Sequence, residues 1–261
     1  MKMKKVLSLV LVTVMAVSMA ACGSKEEKKE ESKGEKLIVG TEAGFAPYEY
    51  MKGNEVVGID MDIAKAIADS MGKELEIKNM DFEGALAATA SGKADFVAAG
   101  VSINPEREEV MDFSHEYVNS TEVVVVNKEN PQVAVAGDAL AGSDLDGKIV
   151  AVQQGNIADS WVTKEENCKA KEIKRYTKFS QAAEDLKNGK VDCIVMDLNP
   201  AEQLVAGNDA LQILEGTLFE DKYAIGVKKG NKKLLDEINK VIDKLIADGK
   251  IEEFTANHVQ K

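Results

Sequence analysis

Cysteine, histidine and long apolar segments are scarce in this chain of 261 residues, and basic residues are fewer than acidic ones. Three cysteines and two histidines are too few for a clustered zinc site. Basic residues number 33 against 45 acidic ones, a formal net charge of −12, which argues against nucleic acid or anionic lipid as a partner. The apolar run at residues 6–19 is short for a membrane span. What remains, 44% hydrophobic and 30% charged residues, is typical of a globular protein with one large domain or two small ones.

The amino-terminal residues have the order of an export signal. Residues 1–21 contain early lysines, the apolar run and two alanines, which predicts a signal peptide. The order MAACG at residues 19–23 resembles a bacterial lipobox, and this implies cleavage before Cys22 and diacylglyceryl attachment to its sulfur. The alternative is ordinary secretion with Cys22 as a stray thiol. Residues 22–36 are highly charged and predict a disordered tether that carries the lipidated cysteine.

Strand patterns alternate with helix patterns twice along the rest of the chain. This alternation predicts an α/β protein with two sheets of parallel type. We expect two lobes joined by two crossings of the chain: lobe 1 from residues 37–125 plus 220–261, and lobe 2 from residues 126–219. A hinge with two crossings lets the lobes close over a ligand. The predicted strands are 36–40, 74–79, 94–99, 121–126, 148–152, 172–176, 191–196 and 223–227.

Two Asn-Pro pairs predict helix starts. Asn104-Pro105 and Asn199-Pro200 each place Asn at the N-cap and Pro at the first helical position. Residues 234–245 carry an apolar stripe that predicts a final helix, and Gly249 closes it.

Polar and aromatic residues follow the predicted strands at their carboxyl ends, where ligands bind in open α/β sheets. Arg107 has a planar guanidinium that can donate two hydrogen bonds to a carboxylate, and Asp197 can accept a hydrogen bond from an ammonium. Phe45 and Phe82 provide flat apolar faces, so the set fits an α-amino acid between two lobes. The full set of predicted ligand-binding residues is Glu42, Phe45, Phe82, Gly100, Ser102, Arg107, Gln153, Asn156 and Asp197.

Each of these residues also has a purely structural interpretation. Arg107 could pair with a neighbouring glutamate in solvent, and Phe45 and Phe82 could belong to the core. Asp197 could cap the helix that follows, although Asn199 already fits that position. Asn156 could act only as an N-cap, a role that is compatible with ligand contact.

The segments that carry these residues resemble one family, the bacterial extracellular solute-binding proteins of family 3, which are amino-acid receptors of ABC importers. The resemblance covers about residue 37 to the carboxyl terminus. It rests on GTEAGFAPYEY (40–50), GIDMDIAKAIA (58–68), SGKADFVAAGVSINPER (91–107), MDFSHEYVNS (111–120), VAVQQGN (150–156) and NGKVDCIVMD (188–197).

The resemblance implies a two-lobed, periplasmic-binding-protein-like fold of type II. It also implies that Arg107 holds the ligand carboxylate, that Asp197 holds the amino group and that Phe45 stacks on the ligand. Family members often have Thr where this chain has Asn156, so the carboxamide would donate in its place. The acid at Glu42 favours lysine, arginine, histidine or glutamine as ligand. We expect an anchored monomer that works with an ABC permease and needs no cofactor or metal.

Other classes leave weaker signals. An exported dehydratase on the same fold would need a general acid, for which Glu42 is the candidate, and a sensory or adhesive ectodomain would bind a protein instead. Residues 142–148 match the start of a P-loop, but a strand follows them where a helix is required. Cys168 and Cys193 remain after export, and their spacing leaves a disulfide open.

Overall fold

A computed structural model describes residues 35–259. The predicted signal peptide and the lipidation site Cys22 lie outside the described residues, as does nearly all of the predicted tether. Lys36, assigned above to the end of the tether, is the first residue of a strand. Of the helices between residues 35 and 259, none has both the length and the apolar character that a bilayer span requires.

Strands and helices alternate through the described residues. The strands are β1 (Lys36–Thr41), β2 (Gly44–Phe45), β3 (Glu49–Lys52), β4 (Glu55–Val57), β5 (Glu74–Asn79), β6 (Phe96–Val97), β7 (Met111–Phe113), β8 (Val118–Asn127), β9 (Ile149–Gln153), β10 (Glu172–Tyr176), β11 (Cys193–Asp197), β12 (Leu211–Ile213), β13 (Phe219–Tyr223) and β14 (Gly226–Lys228). The α-helices are α1 (Ile59–Ser70), α2 (Phe82–Ser91), α3 (Pro105–Glu108), α4 (Ile157–Val162), α5 (Phe179–Lys187), α6 (Leu198–Ala206), α7 (Lys232–Ala247) and α8 (Lys250–His258).

Two mixed sheets form the body of the protein, which confirms the predicted α/β class. The first has the order β5-β1-β6-β14-β7, in which β1 runs parallel to β5 and β6 while β14 is antiparallel to its neighbours. The second has the order β10-β9-β11-β8-β12, and β13 also pairs with β8. Here β9 runs parallel to β10 and β11, whereas β8 is antiparallel to all its partners. A small third sheet contains β2, β3 and β4.

The chain passes between the two large sheets twice, at positions that differ from the predicted lobe boundaries. All of β8 and β13 pairs within the second sheet, so the crossings lie at residues 114–117 and 224–225 rather than at 125 and 220. The prediction of one strand over 223–227 is wrong for the same reason. Tyr223 ends β13 in the second sheet, and Gly226 begins β14 in the first.

Strand β8 is buried on both faces, which explains its run of four valines. Val123 and Val125 pack in a core that extends through both sheets, whereas Val124 and Val126 pack in a second core with Cys193. Cys168 lies in that second core as well, and both thiols are free. The disulfide that the sequence left open is therefore not formed.

Asparagine caps position two of the short helices that border the site. Asn104 and Asn156 begin α3 and α4 by accepting the backbone N–H three residues ahead, at 2.8 and 2.9 Å. The predicted N-cap at Asn199 is wrong, because α6 begins two residues earlier with Asp197 at the N-cap. Asn199 lies within the first turn, where its side chain donates to the hydroxyl of Tyr48 at 2.8 Å.

Candidate functional site

The predicted ligand-binding residues gather where the carboxyl ends of the two sets of strands meet. From the side of the first sheet come Glu42 after β1, Phe82 after β5, Gly100 and Ser102 after β6, and Arg107 on α3, together with Phe45 on β2 of the small third sheet. From the second sheet come Gln153 at the end of β9, Asn156 before α4, and Asp197 at the end of β11. Hydrogen bonds already join the two groups of loops, so one cleft contains both.

Arg107 reaches from the first sheet to the second. Its guanidinium donates from Nη1 to the carbonyl oxygen of Ser102 and from Nη2 to that of Gly155, the latter at 2.9 Å. Only 6% of the residue is exposed, and it has no side-chain carboxylate among its hydrogen-bond partners in the described residues. Burial lowers the pKa of Arg107 to about 10, and the charges of Asp221 and Asp197 oppose that shift. The guanidinium stays charged at neutral pH and is available to an anionic group.

The two predicted aromatic faces have different surroundings. Phe82 packs in a third core, and its ring lies 5.3 Å below the guanidinium carbon of Arg107, a cation–π contact. Phe45 stacks on Phe179 of α5 with ring centroids 6.0 Å apart, and it also packs beside Tyr48. Phe82 therefore supports the arginine, whereas Phe45 bridges the two sides of the cleft.

Asp197 is the buried acid of the second sheet, with 3% exposed. It is the N-cap residue of α6, but its side chain makes no capping bond. Instead Oδ1 accepts from the hydroxyls of Tyr223 and of Ser120, the latter at 3.2 Å. Burial raises the pKa of Asp197 to about 6, and the hydrogen bond from Tyr223 opposes the shift. The structural alternative considered above, a simple helix cap, is thus not the role of this carboxylate.

Glu42 lies at the opposite side of the cleft with one oxygen free. Its Oε2 accepts from Nε2 of Gln153 at 3.1 Å, a bond between the two sheets. Its Oε1 is buried and has no hydrogen-bond partner in the described structure. Burial raises the pKa of the Glu42 carboxyl, and the bond from Gln153 counters part of the effect. A buried acceptor without a donor is costly unless a ligand supplies one.

Gly100, Ser102 and Asn156 shape the space around Arg107. Gly100 has φ of +55°, and a Cβ there would lie 2.7 Å from Cε1 of Phe45, so only glycine fits. Ser102 donates to Oδ2 of Asp221 at 2.6 Å. Asn156 uses its oxygen as the helix cap, while its buried Nδ2 has no acceptor in the described residues. That amide is a spare donor for an anion.

Sequence reasoning missed a group of polar residues behind Asp197. Glu122 on β8 is fully buried, and Asp221 and Tyr223 on β13 lie against the same site. Carboxylate oxygens of Glu122, Asp197 and Asp221 lie within 4.8 Å of one another. The sequence could have indicated Glu122, because a single acid directly before a run of valines is unusual. Asp221 reaches the site only because β13 pairs with β8.

Two sheets joined by two crossings, with a buried cation and buried anions where they meet, define a two-lobed protein that binds a small charged solute. The chain belongs to the bacterial extracellular solute-binding proteins, family 3, whose family model matches residues 37–261. This confirms the resemblance seen in the sequence. The family consists of solute-binding proteins and not enzymes, so the dehydratase alternative is set aside.

Known relatives have similar length and the same fold. The arginine-binding extracellular protein ArtP of Bacillus subtilis is 31% identical, over 97% of this chain and 96% of its own. The amino acid ABC transporter substrate-binding protein AbpA of Streptococcus pneumoniae, bound to L-arginine, superposes with a TM-score of 0.77 at 34% identity, covering 88% of this chain and 98% of that one. An ancestral arginine-binding protein bound to glutamine gives 0.74 at 37% identity, covering 85% and 96%.

Proposed function

We propose that this protein is the extracytoplasmic substrate-binding component of an ABC importer and that its ligand is a cationic L-amino acid, with arginine preferred. One observation carries the proposal: Arg107 and Asp197, buried charges of opposite sign from different sheets, lie at the same cleft. Arg107 binds the α-carboxylate, with the spare amide of Asn156 as a further donor. Asp197 binds the α-ammonium.

The preference for a cationic side chain follows from the charges and from Glu42. The carboxyls of Glu42, Asp197 and Asp221 outnumber the two cations that act on them, which are Arg107 and, near Glu42, Lys178. A ligand with net positive charge balances that excess. The free Oε1 of Glu42 accepts from its side chain, and Gln153 holds the other oxygen in place. ArtP is an arginine-binding protein and AbpA was solved with bound L-arginine, which agrees with this choice.

Ligand binding also favours closure of the lobes. A zwitterion held by Arg107 and Asp197 contacts both sheets at once, and only the closed arrangement allows this. The two crossings at residues 114–117 and 224–225 provide the hinge. We expect the closed monomer to be the form that the permease recognises.

The proposed cellular position rests on Cys22. A lipid on its sulfur would anchor the protein to the outer face of the cell membrane, and the charged tether would separate the binding domain from the surface. If the full chain is expressed in a bacterium, we expect it in the membrane fraction, and Cys22→Ser should move it to the soluble exported fraction. Equal partition of both forms would contradict lipid anchoring.

Calorimetry with the twenty amino acids tests the ligand assignment. We expect the tightest binding for arginine and weaker binding for lysine, histidine and glutamine. Aspartate and glutamate should not bind, because the cleft already holds an excess of carboxylates. Failure of every amino acid to bind would overturn the proposed function, and a preference for acidic amino acids would overturn the role of Glu42.

A further inference from the structure

Glu122 has an unusual place for an acid, in the buried middle of strand β8. It lies directly opposite Asp197 on β11 and opposite Phe219 on β13, within β8. Its residue exposure is 0%, and neither carboxyl oxygen has a hydrogen-bond donor in the described structure. Residues opposite each other in an antiparallel pair present their side chains on the same face, so the Glu122 and Asp197 carboxyls are neighbours.

No cation neutralises Glu122 in this part of the molecule. The charged groups that act on it are Asp197 from β11 and Asp221 from β13, both acids. Arg107, the cation that responds to those two aspartates, directs its Nη atoms to the carbonyl oxygens of Ser102 and Gly155. A second negative charge on Glu122 would therefore be buried against a like charge with no compensation.

The hydrogen bonds decide which carboxyl holds the proton. Asp197 accepts from two hydroxyls, those of Ser120 and Tyr223, and these bonds favour its ionised form. Glu122 accepts a hydrogen bond from none of the described residues. Burial first, and then the charge of Asp197, raises the pKa of Glu122 well above its usual range. Two adjacent carboxyls that share one proton are a known arrangement at low-dielectric sites.

We propose that Glu122 is a neutral carboxylic acid that donates its proton to Asp197, and that it acts as a positioning residue which keeps Asp197 ionised and fixed for a ligand ammonium. The protonation state is a property of the protein alone. The positioning role rests on the proposed function, because it requires that an ammonium binds Asp197.

Two measurements without ligand test whether Glu122 carries a proton. Infrared spectra at neutral pH should contain a carboxylic acid C=O band that Glu122→Gln removes. Glu49→Gln is the matched control, since Glu49 is also fully buried, lies beside Asp60 and has a raised pKa from burial. It should remove a different band and leave that of Glu122. Retention of every acid band in Glu122→Gln would overturn the proposal.

The pH dependence of stability gives an independent readout. A carboxyl whose pKa is raised by folding keeps its proton while the unfolded chain releases it, so stability falls as pH rises above the unfolded pKa of about 4.3. Glu122→Gln lacks this proton, so its Tm should rise relative to wild type between about pH 5 and 7. A constant Tm difference across that range would mean that Glu122 is ionised in the folded protein.

Arginine binding then tests the positioning role. Glu122→Gln keeps a neutral donor and should bind within about threefold of wild type, whereas Glu122→Leu removes the donor and should bind roughly tenfold more weakly. The acid limb of the Glu122→Leu affinity profile should also move to higher pH, a change that a merely structural role would not produce. A loss in Glu122→Gln as large as that in Asp197→Asn would make Glu122 an ionised ligand contact and overturn the proposal. If wild type binds no amino acid, the proposed function fails, while the infrared and Tm results still decide where the proton lies.

Discussion

Removing the charge of Glu42 should change the ligand preference rather than abolish binding. The residue is 2% exposed, Oε2 is held by Gln153 at 3.1 Å, and Oε1 has no partner in the described residues. In Glu42→Gln the shape and the bond to Gln153 can persist, but a cationic side chain loses a charged acceptor. A buried hydrogen bond to a charged group contributes about 2–3 kcal/mol. The affinity for arginine should therefore fall by roughly 30- to 150-fold.

The affinity for glutamine distinguishes the loss of a charged acceptor at Glu42 from a general loss of structure. Glutamine carries no side-chain charge, so its affinity should change by less than about threefold in Glu42→Gln. Glu83→Gln is the matched control, because Glu83 also accepts from a glutamine across the cleft, Gln154 at 2.6 Å, but is exposed to solvent. It should leave both affinities nearly unchanged. Calorimetry with arginine and glutamine on all three proteins provides the comparison, and equal losses for the two ligands in Glu42→Gln would refute the assigned role.

Three further predictions concern pH and stability. The affinity for arginine should be level between about pH 7 and 8 and should fall as the pH drops through about 6, because protonation removes the charge of Asp197 that attracts the ammonium; a level calorimetric profile down to about pH 5 would contradict this. Asp81→Ala removes the N-cap of α2, whose Oδ1 accepts from Gly84 at 2.9 Å, and should lower the free energy of unfolding by about 1 kcal/mol in urea titration. Gly100→Ala places a methyl group against Phe45 at positive φ and should cost about 1–3 kcal/mol by the same assay, whereas an unchanged midpoint would show that the loop relaxes freely.

Local patterns were sufficient to predict much of the fold and the charged ends of the site. Arg107 follows an Asn-Pro helix start at the end of a strand, and Asp197 ends an apolar strand, so each could be placed from its neighbours in sequence. Glu42 and Gln153 likewise follow strands, although the bond between them depends on how the sheets meet. The family could be recognised only from the order of several segments together, because no single segment is specific to it.

The remaining features depend on contacts between distant residues. The apolar pattern around Tyr223 does not reveal that β13 and β14 lie in different sheets, since both are short and adjacent. Helix α8 was missed because Gly249 is a proper end for α7, and the residues after it carry few apolar side chains. The cluster of Glu122 with Asp221 exists only through strand pairing.

The contact between Arg107 and the ligand carboxylate is tested most directly by a calorimetric cycle in which both the protein and the ligand are varied. Wild type and Arg107→Gln would each be titrated with arginine and with agmatine, which is arginine without its carboxylate. Two charged hydrogen bonds predict a coupling energy of about 3 kcal/mol, so the preference for arginine over agmatine should be roughly 150-fold smaller in Arg107→Gln than in wild type. If the variant, with Tm confirming that it is folded, still prefers arginine as strongly as wild type does, the guanidinium of Arg107 does not hold the ligand carboxylate.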